Sequence, residues 1–206
     1  MRIYIVVLLA LISFCSHGQY KAEEFQAVLL EAKYGALLLY NGTTNSFSIR
    51  FESNSVKPTD KPNFILVDNV LMQSLITPFR QKLDFNNLDN ATQKRYLTGW
   101  KAYEKKWVED QLKIALKEEE EFIEISDRVF LYWTFGMPKS KDSGSVDSQV
   151  YLVTICFDQL LILNGPVEKG KQAETLKEKF VTIAKTLTLS PNQIQDIEKL
   201  YNELKK

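Results

Sequence analysis

The amino-acid sequence predicts an α+β fold: an antiparallel sheet built from hairpins and covered by helices on both faces, a helix-sheet-helix sandwich. Three observations carry this. Short apolar runs come in pairs split by turn-forming residues, as at 63–67 and 70–76 around Asp68-Asn69, where both residue types tolerate the positive φ of a tight hairpin turn. One long amphipathic stretch interrupts the hairpins at 91–117, and two further helical patterns close the chain. VFLYWTF (129–135) and VYLVTICF (150–157) are apolar at consecutive positions, so the central strands are expected to be covered on both sides.

The chain begins with a segment of a different kind. Residues 3–14, IYIVVLLALISF, are apolar throughout, preceded by Arg2 and followed by small and polar residues. Such a run is too short for a bilayer core of roughly 30 Å at about 1.5 Å per residue, and its flanks are those of a secretory signal peptide. Ser16 and Gly18 supply the small residues that signal peptidase requires, which places the cut between Gly18 and Gln19. Lipidation of Cys15 is the competing exit, disfavoured by the bulk of Phe14. A signal ending in Gly-Gln resembles those of Gram-negative bacteria. The expected organisation is a signal peptide over 1–18 and a single α+β domain over 19–206, periplasmic or secreted, and soluble without a further membrane segment.

Within that domain, KAEEFQAVLLEAK (21–33) sets Phe25, Val28, Leu29 and Ala32 at helical spacing, and GALLLYN (35–41) fits either a continuation of the helix or a strand. SFSIRFE (46–52) alternates, with Phe47, Ile49 and Phe51 on one face, as a half-buried strand does. Between 91 and 117 no proline intervenes; Asn90 is the expected cap, with Gln93 bonding back. Tyr96, Trp100, Tyr103, Trp107 and Ile114 fall on one stripe of this helix, expected to pack into the core, with aromatic contact to a sugar as the competing use. Strands follow at 122–126, 129–135, 150–157 and 160–163, the last two joined by a turn at Asp158-Gln159. AETLKEKFVTIAKTL places Leu176, Phe180, Ile183 and Leu187 on one helical face. Ser190-Pro191-Asn192-Gln193 has the cap, N1 proline and glutamine of a last helix carrying Ile194, Ile197, Leu200, Tyr201 and Leu204. The terminal hairpin and packing helix are similar to the end of the PsbP-like and Mog-like sandwich folds over about 60 residues, a likeness without a sequence motif that transfers no function.

Composition narrows the chemistry. Lysine and arginine number 26, as do aspartate and glutamate, so no electrostatic reason points to nucleic acid or anionic lipid. The sole histidine, His17, and one of two cysteines, Cys15, fall before the expected cut, which leaves Ser-His, Cys-His and histidine-zinc mechanisms without their base or ligand. Cys156 is then the remaining thiol, expected to be buried and inert. Gly165, Gly170 and Lys171 match G-x-x-x-x-G-K, yet Pro166 removes a backbone donor and Gln172 replaces the hydroxyl a phosphate loop needs; the stretch reads as a surface turn. FILVD ends in Asp68 as a metal-binding strand would, and reads better as a hairpin.

Glu118, Glu119, Glu120 and Glu121 read as a solvated helix end rather than a cation site, and Asp142, Gly144 and Asp147 lack the regular spacing of a calcium loop. Asp110 and Glu118 are candidate acids for the alternative reading, a carboxylate-dependent hydrolase of the cell envelope. No catalytic, cofactor-binding or metal residue is assigned, and no cofactor is implied. The preferred reading is an exported non-enzymatic protein that binds a protein partner or a small apolar or carbohydrate ligand, with the 136–149 loop as its candidate surface.

Overall fold

The computed structural model describes residues 20–79, 84–85, 88–138 and 145–206; the expected signal peptide, Cys15 and His17 lie outside them. The fold is mixed α+β, with two antiparallel sheets and three helices. Strands β1 (Gln26–Ala32), β2 (Gly35–Asn41) and β3 (Ser46–Glu52) form a meander, completed by β11 (Thr188–Ser190) in the order β1-β2-β3-β11. The larger sheet runs β4-β5-β6-β10-β9-β8-β7. It is built from β4 (Val56–Pro58), β5 (Phe64–Val67), β6 (Val70–Pro78), β7 (Glu118–Ile125), β8 (Arg128–Gly136), β9 (Val146–Cys156) and β10 (Gln159–Glu168).

Alternation along β8 shows why the central strands are apolar at every position. Val129, Leu131 and Trp133 point to one face, where they pack with Val153, Ile155, Leu160 and Ile162 beneath helix α1 (Asn90–Leu112). Phe130 and Tyr132 point to the other, against the small sheet and helix α2 (Ala173–Ala184). One face of the large sheet is therefore covered by a helix, and the opposite face by a second sheet with α2 beside it, where the sequence predicts helices alone. A third helix, α3 (Ile197–Leu204), lies on the outer face of the small sheet, over Val28, Leu30 and Leu37. An N-terminal latch ties the sheets together: Tyr20 Oη donates to Asp158 Oδ2 at 2.6 Å, Gln159 Nε2 donates to the Glu23 carbonyl at 2.8 Å, and Glu23 Oε1 accepts from the Asn45 amide at 3.0 Å.

The second sheet exists because residues 26–41 form a hairpin, not the predicted helix. Ala27 and Leu29 pack inward and Val28 and Leu30 outward under α3, so both faces of β1 are apolar and its period of two is hidden. The spacing of Phe25, Val28, Leu29 and Ala32 mimics a helix by coincidence. The hairpin at Asp68-Asn69 forms as predicted, with φ of 50° and 63°. The turn placed at Asp158-Gln159 instead occupies Phe157-Asp158, with Phe157 at φ 57° and Gln159 already paired with Cys156.

Helix α1 is capped one residue before the expected position: Asp89, not Asn90, accepts from the Thr92 amide at 2.7 Å, and Gln93 is drawn into the protein, where it accepts from the Val129 amide at 3.2 Å. It ends at Leu112, with Lys113 left-handed at φ 55°, five residues short of the prediction. The C-terminal capping motif is also overruled. Ser190 closes β11 opposite Ser46, Asn192 turns at φ 53°, and the real cap is Asp196, which accepts from the Lys199 amide at 3.0 Å. Pairing with the edge of β3 offers Thr188–Ser190 backbone partners that an isolated capping box cannot match.

Candidate functional site: a trough along an unpaired strand edge

Two open sheets have four edges, and an unpaired edge is a template for another chain unless something blunts it. Three of the four are blunted. β11 has three residues; β4 also has three, VKP, with Lys57 and Pro58; and β7 opens with four glutamates. The fourth, β1, is seven residues long and carries neither proline nor lysine, and between Gln26 and Glu31 it has no charge. In an antiparallel ladder every second residue of an edge strand turns its N–H and C=O away from its neighbour, so β1 presents these groups to whatever lies beside it.

A trough lies beside it. A cavity of about 710 Å³ is lined by Leu29, Leu30 and Glu31 of β1, by Val56, Lys57 and Pro58 of β4, and by Ile197, Tyr201 and Lys205 of the α3 segment. A second, of about 250 Å³, continues past Ala27, Leu29 and Pro58 toward Leu38, Tyr40, Phe64 and Ile65. Leu29 and Pro58 line both. The larger is within the range of ligand-binding clefts, and the lining is mainly apolar with few polar groups, as such clefts are. At the inner end the Tyr40 and Ser74 hydroxyls are 2.8 Å apart, and burial pushes the Tyr40 hydroxyl far above the ordinary tyrosine range, so it stays protonated. At the rim Lys205 pairs with Glu31 at 2.8 Å, while Lys57, Asp60 and Lys61 leave the opening of mixed charge.

The residues singled out from the sequence are elsewhere, each with its own task. Glu118 to Glu121 are not a frayed helix end but the start of β7. Its alternation sends Glu118 and Glu120 to Lys101 of α1, and Glu121 to Lys177 of α2 at 2.7 Å. Burial alone would raise the Glu118 pKa, but hydrogen bonds from Lys105 (2.7 Å) and Trp133 Nε1 (2.8 Å), with the charge of Lys101, hold it below the usual carboxylate range. A carboxylate engaged through both oxygens is an anchor for α1. Asp110 is exposed on the far side of that helix. Among the described residues no group of His, Cys, Asp and Glu is arranged to hold a metal ion.

The aromatic stripe divides. Trp100 packs edge-on against Trp133, with ring centroids 6.1 Å apart, whereas Tyr103 is 65% and Trp107 53% exposed. Core packing, predicted for all of them, is wrong for those two, because Leu97 and Val108 define a buried face rotated away from them. The surface turn expected at 165–172 is shorter than predicted: Gly165 lies inside β10 opposite Val150, because β10 runs on to Glu168, and only Gly170 turns, at φ 79°, before α2. Cys156 is fully buried, its thiol pushed up to about 12 by burial and eased only slightly by Arg128, whose guanidinium donates to the Ile155 carbonyl. The 136–149 loop shortens, since β9 begins at Val146 and the Met137 amide donates to the Asp147 carbonyl at 2.8 Å; its residues 139–144, with Asp142 and Gly144, lie outside the described residues. The trough itself was missed by sequence reasoning, because β1 was read as a helix. A seven-residue edge without proline or lysine, and with no charge before Glu31, was the available signal.

Compared with known proteins, the chain matches no family model and no curated protein.

Proposed function

We propose that this is an exported, non-enzymatic interaction protein that takes up an extended segment of a partner protein along β1. The observation that carries the reading is the coincidence of the single unguarded sheet edge among the described residues with the trough beside it. Strand addition would satisfy the outward N–H and C=O groups of β1, while alternate side chains of the added segment enter the apolar trough, the general mode of β-augmentation. The mixed rim charge favours neither a polyanion nor a polycation. Export is supported by the apolar run at 3–14; no helix among the described residues is long and apolar enough to cross a membrane.

The test is selection of extended nonapeptides on the purified protein, followed by amide hydrogen exchange and affinity measurement. Bound peptides are expected to slow exchange at 27–31. Pro58→Arg, which fills the shared part of the trough from an exposed position, is expected to weaken binding at least about tenfold, or roughly 1.4 kcal/mol. Peptides that bind with no protection of β1 would overturn the reading. Turnover of glycosides or esters that is lost in Asp110→Asn or Glu118→Gln would replace it with the hydrolase.

A further inference from the structure

We propose that the segment taken up along β1 is apolar at successive positions rather than at alternate ones, and that an acidic residue stands immediately before this run. The inference rests on the reading of β1 as the docking edge and specifies its occupant. Each residue of an added strand shares the face of the β1 residue it opposes. Those opposite Ala27 and Leu29 point inward, to Val56 and Pro58 and to Ile65 behind them. Those opposite Val28 and Leu30 point outward, to the side that α3 covers.

α3 makes that outer side a second wall. The Gln195 amide donates to Asn41 Oδ1 at 2.9 Å, and the Lys33 amide donates to the Leu204 carbonyl at 3.2 Å. Asn41 lies opposite Gln26 and Lys33 follows Ala32, so α3 runs along β1 in the same direction, tied at both ends. Ile197, Tyr201 and Lys205 are spaced by four and line the trough. A four-residue step on a helix is about 6 Å, close to the roughly 6.5 Å that separates like-facing residues on a strand. Ile197 and Tyr201 therefore stand over the outward positions opposite Val28 and Leu30. The added strand is enclosed on both faces, and a polar side chain on either would be buried without a partner. A slot with one face open to water would instead select an alternating segment. At the Ala32 end Lys205 is engaged by Glu31 at 2.8 Å, whereas Lys57 has no ion-pair partner among the described residues. Antiparallel pairing, the more stable geometry, puts the residue opposite Glu31 just before the apolar run, and a carboxylate there meets Lys57.

Three nonapeptides of one composition, with a glutamate, two leucines, two valines and four serines, test this on the purified protein by affinity and by amide exchange at 27–31. The first carries Glu-Leu-Val-Leu-Val between serine pairs. The second spaces the same apolar residues at alternate positions after the glutamate, and the third puts the glutamate after the run. The first is expected to bind at least about tenfold more tightly than the second and about two- to fivefold more tightly than the third. Ile197→Ser and Tyr201→Ser are each expected to weaken the first at least about tenfold and to leave the second within about twofold. Lys57→Glu should abolish the advantage of the leading glutamate, and lysine in its place should restore it. If an α3 variant fails to fold, Lys57→Glu on its exposed side chain and the ranking by the parent chain still decide. An alternating peptide that binds as tightly as the first and protects β1 overturns the inference and leaves the docking edge standing. A first peptide indifferent to Lys57→Glu overturns the acidic position. Protection of β1 by none of the three overturns the docking edge itself, and the inference with it.

Discussion

Glu104 illustrates how far a single side chain departs from what its letter implies. It is one of many charges on α1, but it is half-buried beside Tyr151, with no hydrogen bond or ion pair among the described residues, and burial raises its pKa. Burial likewise raises the Tyr151 hydroxyl, with the Glu104 charge adding to it. Because the folded-state pKa lies above the unfolded one, no penalty exists below the usual carboxylate range, and stability falls as pH rises through the raised value. Glu104→Gln is expected to be more stable than the parent at pH 7 by about 0.5 kcal/mol, a modest figure because solvent screens the group. The gain should vanish below about pH 4, as urea denaturation at the two pH values would read out. Nothing in the sequence distinguishes Glu104 from Glu109; the difference is the side of α1 on which each stands.

At the scale of elements, sequence patterns were reliable where local chemistry sets the conformation. Asp68-Asn69 takes the positive φ of its turn, SFSIRFE buries Phe47, Ile49 and Phe51, and Leu176, Phe180 and Ile183 face the core from α2. They misled where a neighbour decides. Residues 118–121, read as a helix end, extend the predicted strand at 122–126 because β8 pairs with them and lysines from two helices meet their glutamates. Thr188–Ser190 is a strand because β3 offers an edge. Gly165 shows the same dependence. A Cβ there would stand 2.9 Å from the Leu71 carbonyl oxygen and 3.2 Å from Leu176 Cδ2, where β10 passes under α2. Gly165→Ala is therefore expected to destabilise by about 1–3 kcal/mol in chemical denaturation.

For the whole molecule, the first expectation concerns its N-terminus. Mass spectrometry of the exported chain is expected to find Gln19 or its pyroglutamate as the first residue; a diacylated Cys15 would put the protein on a membrane instead. The latch of Tyr20 and Glu23 to Asp158 and Asn45 begins just after that cut, so removal of 1–18 would leave it intact. The sequence by itself determined the α+β class, the antiparallel hairpins and the long helix, since these follow from local periodicity and turn propensity. Tertiary structure alone decided that 26–41 is a hairpin, that a second sheet covers the first, and hence that β1 is an open edge among the described residues, with a trough along it. A segment apolar on both faces has no period to read, and only the partners on each side, α3 outside and the large sheet inside, select strand over helix.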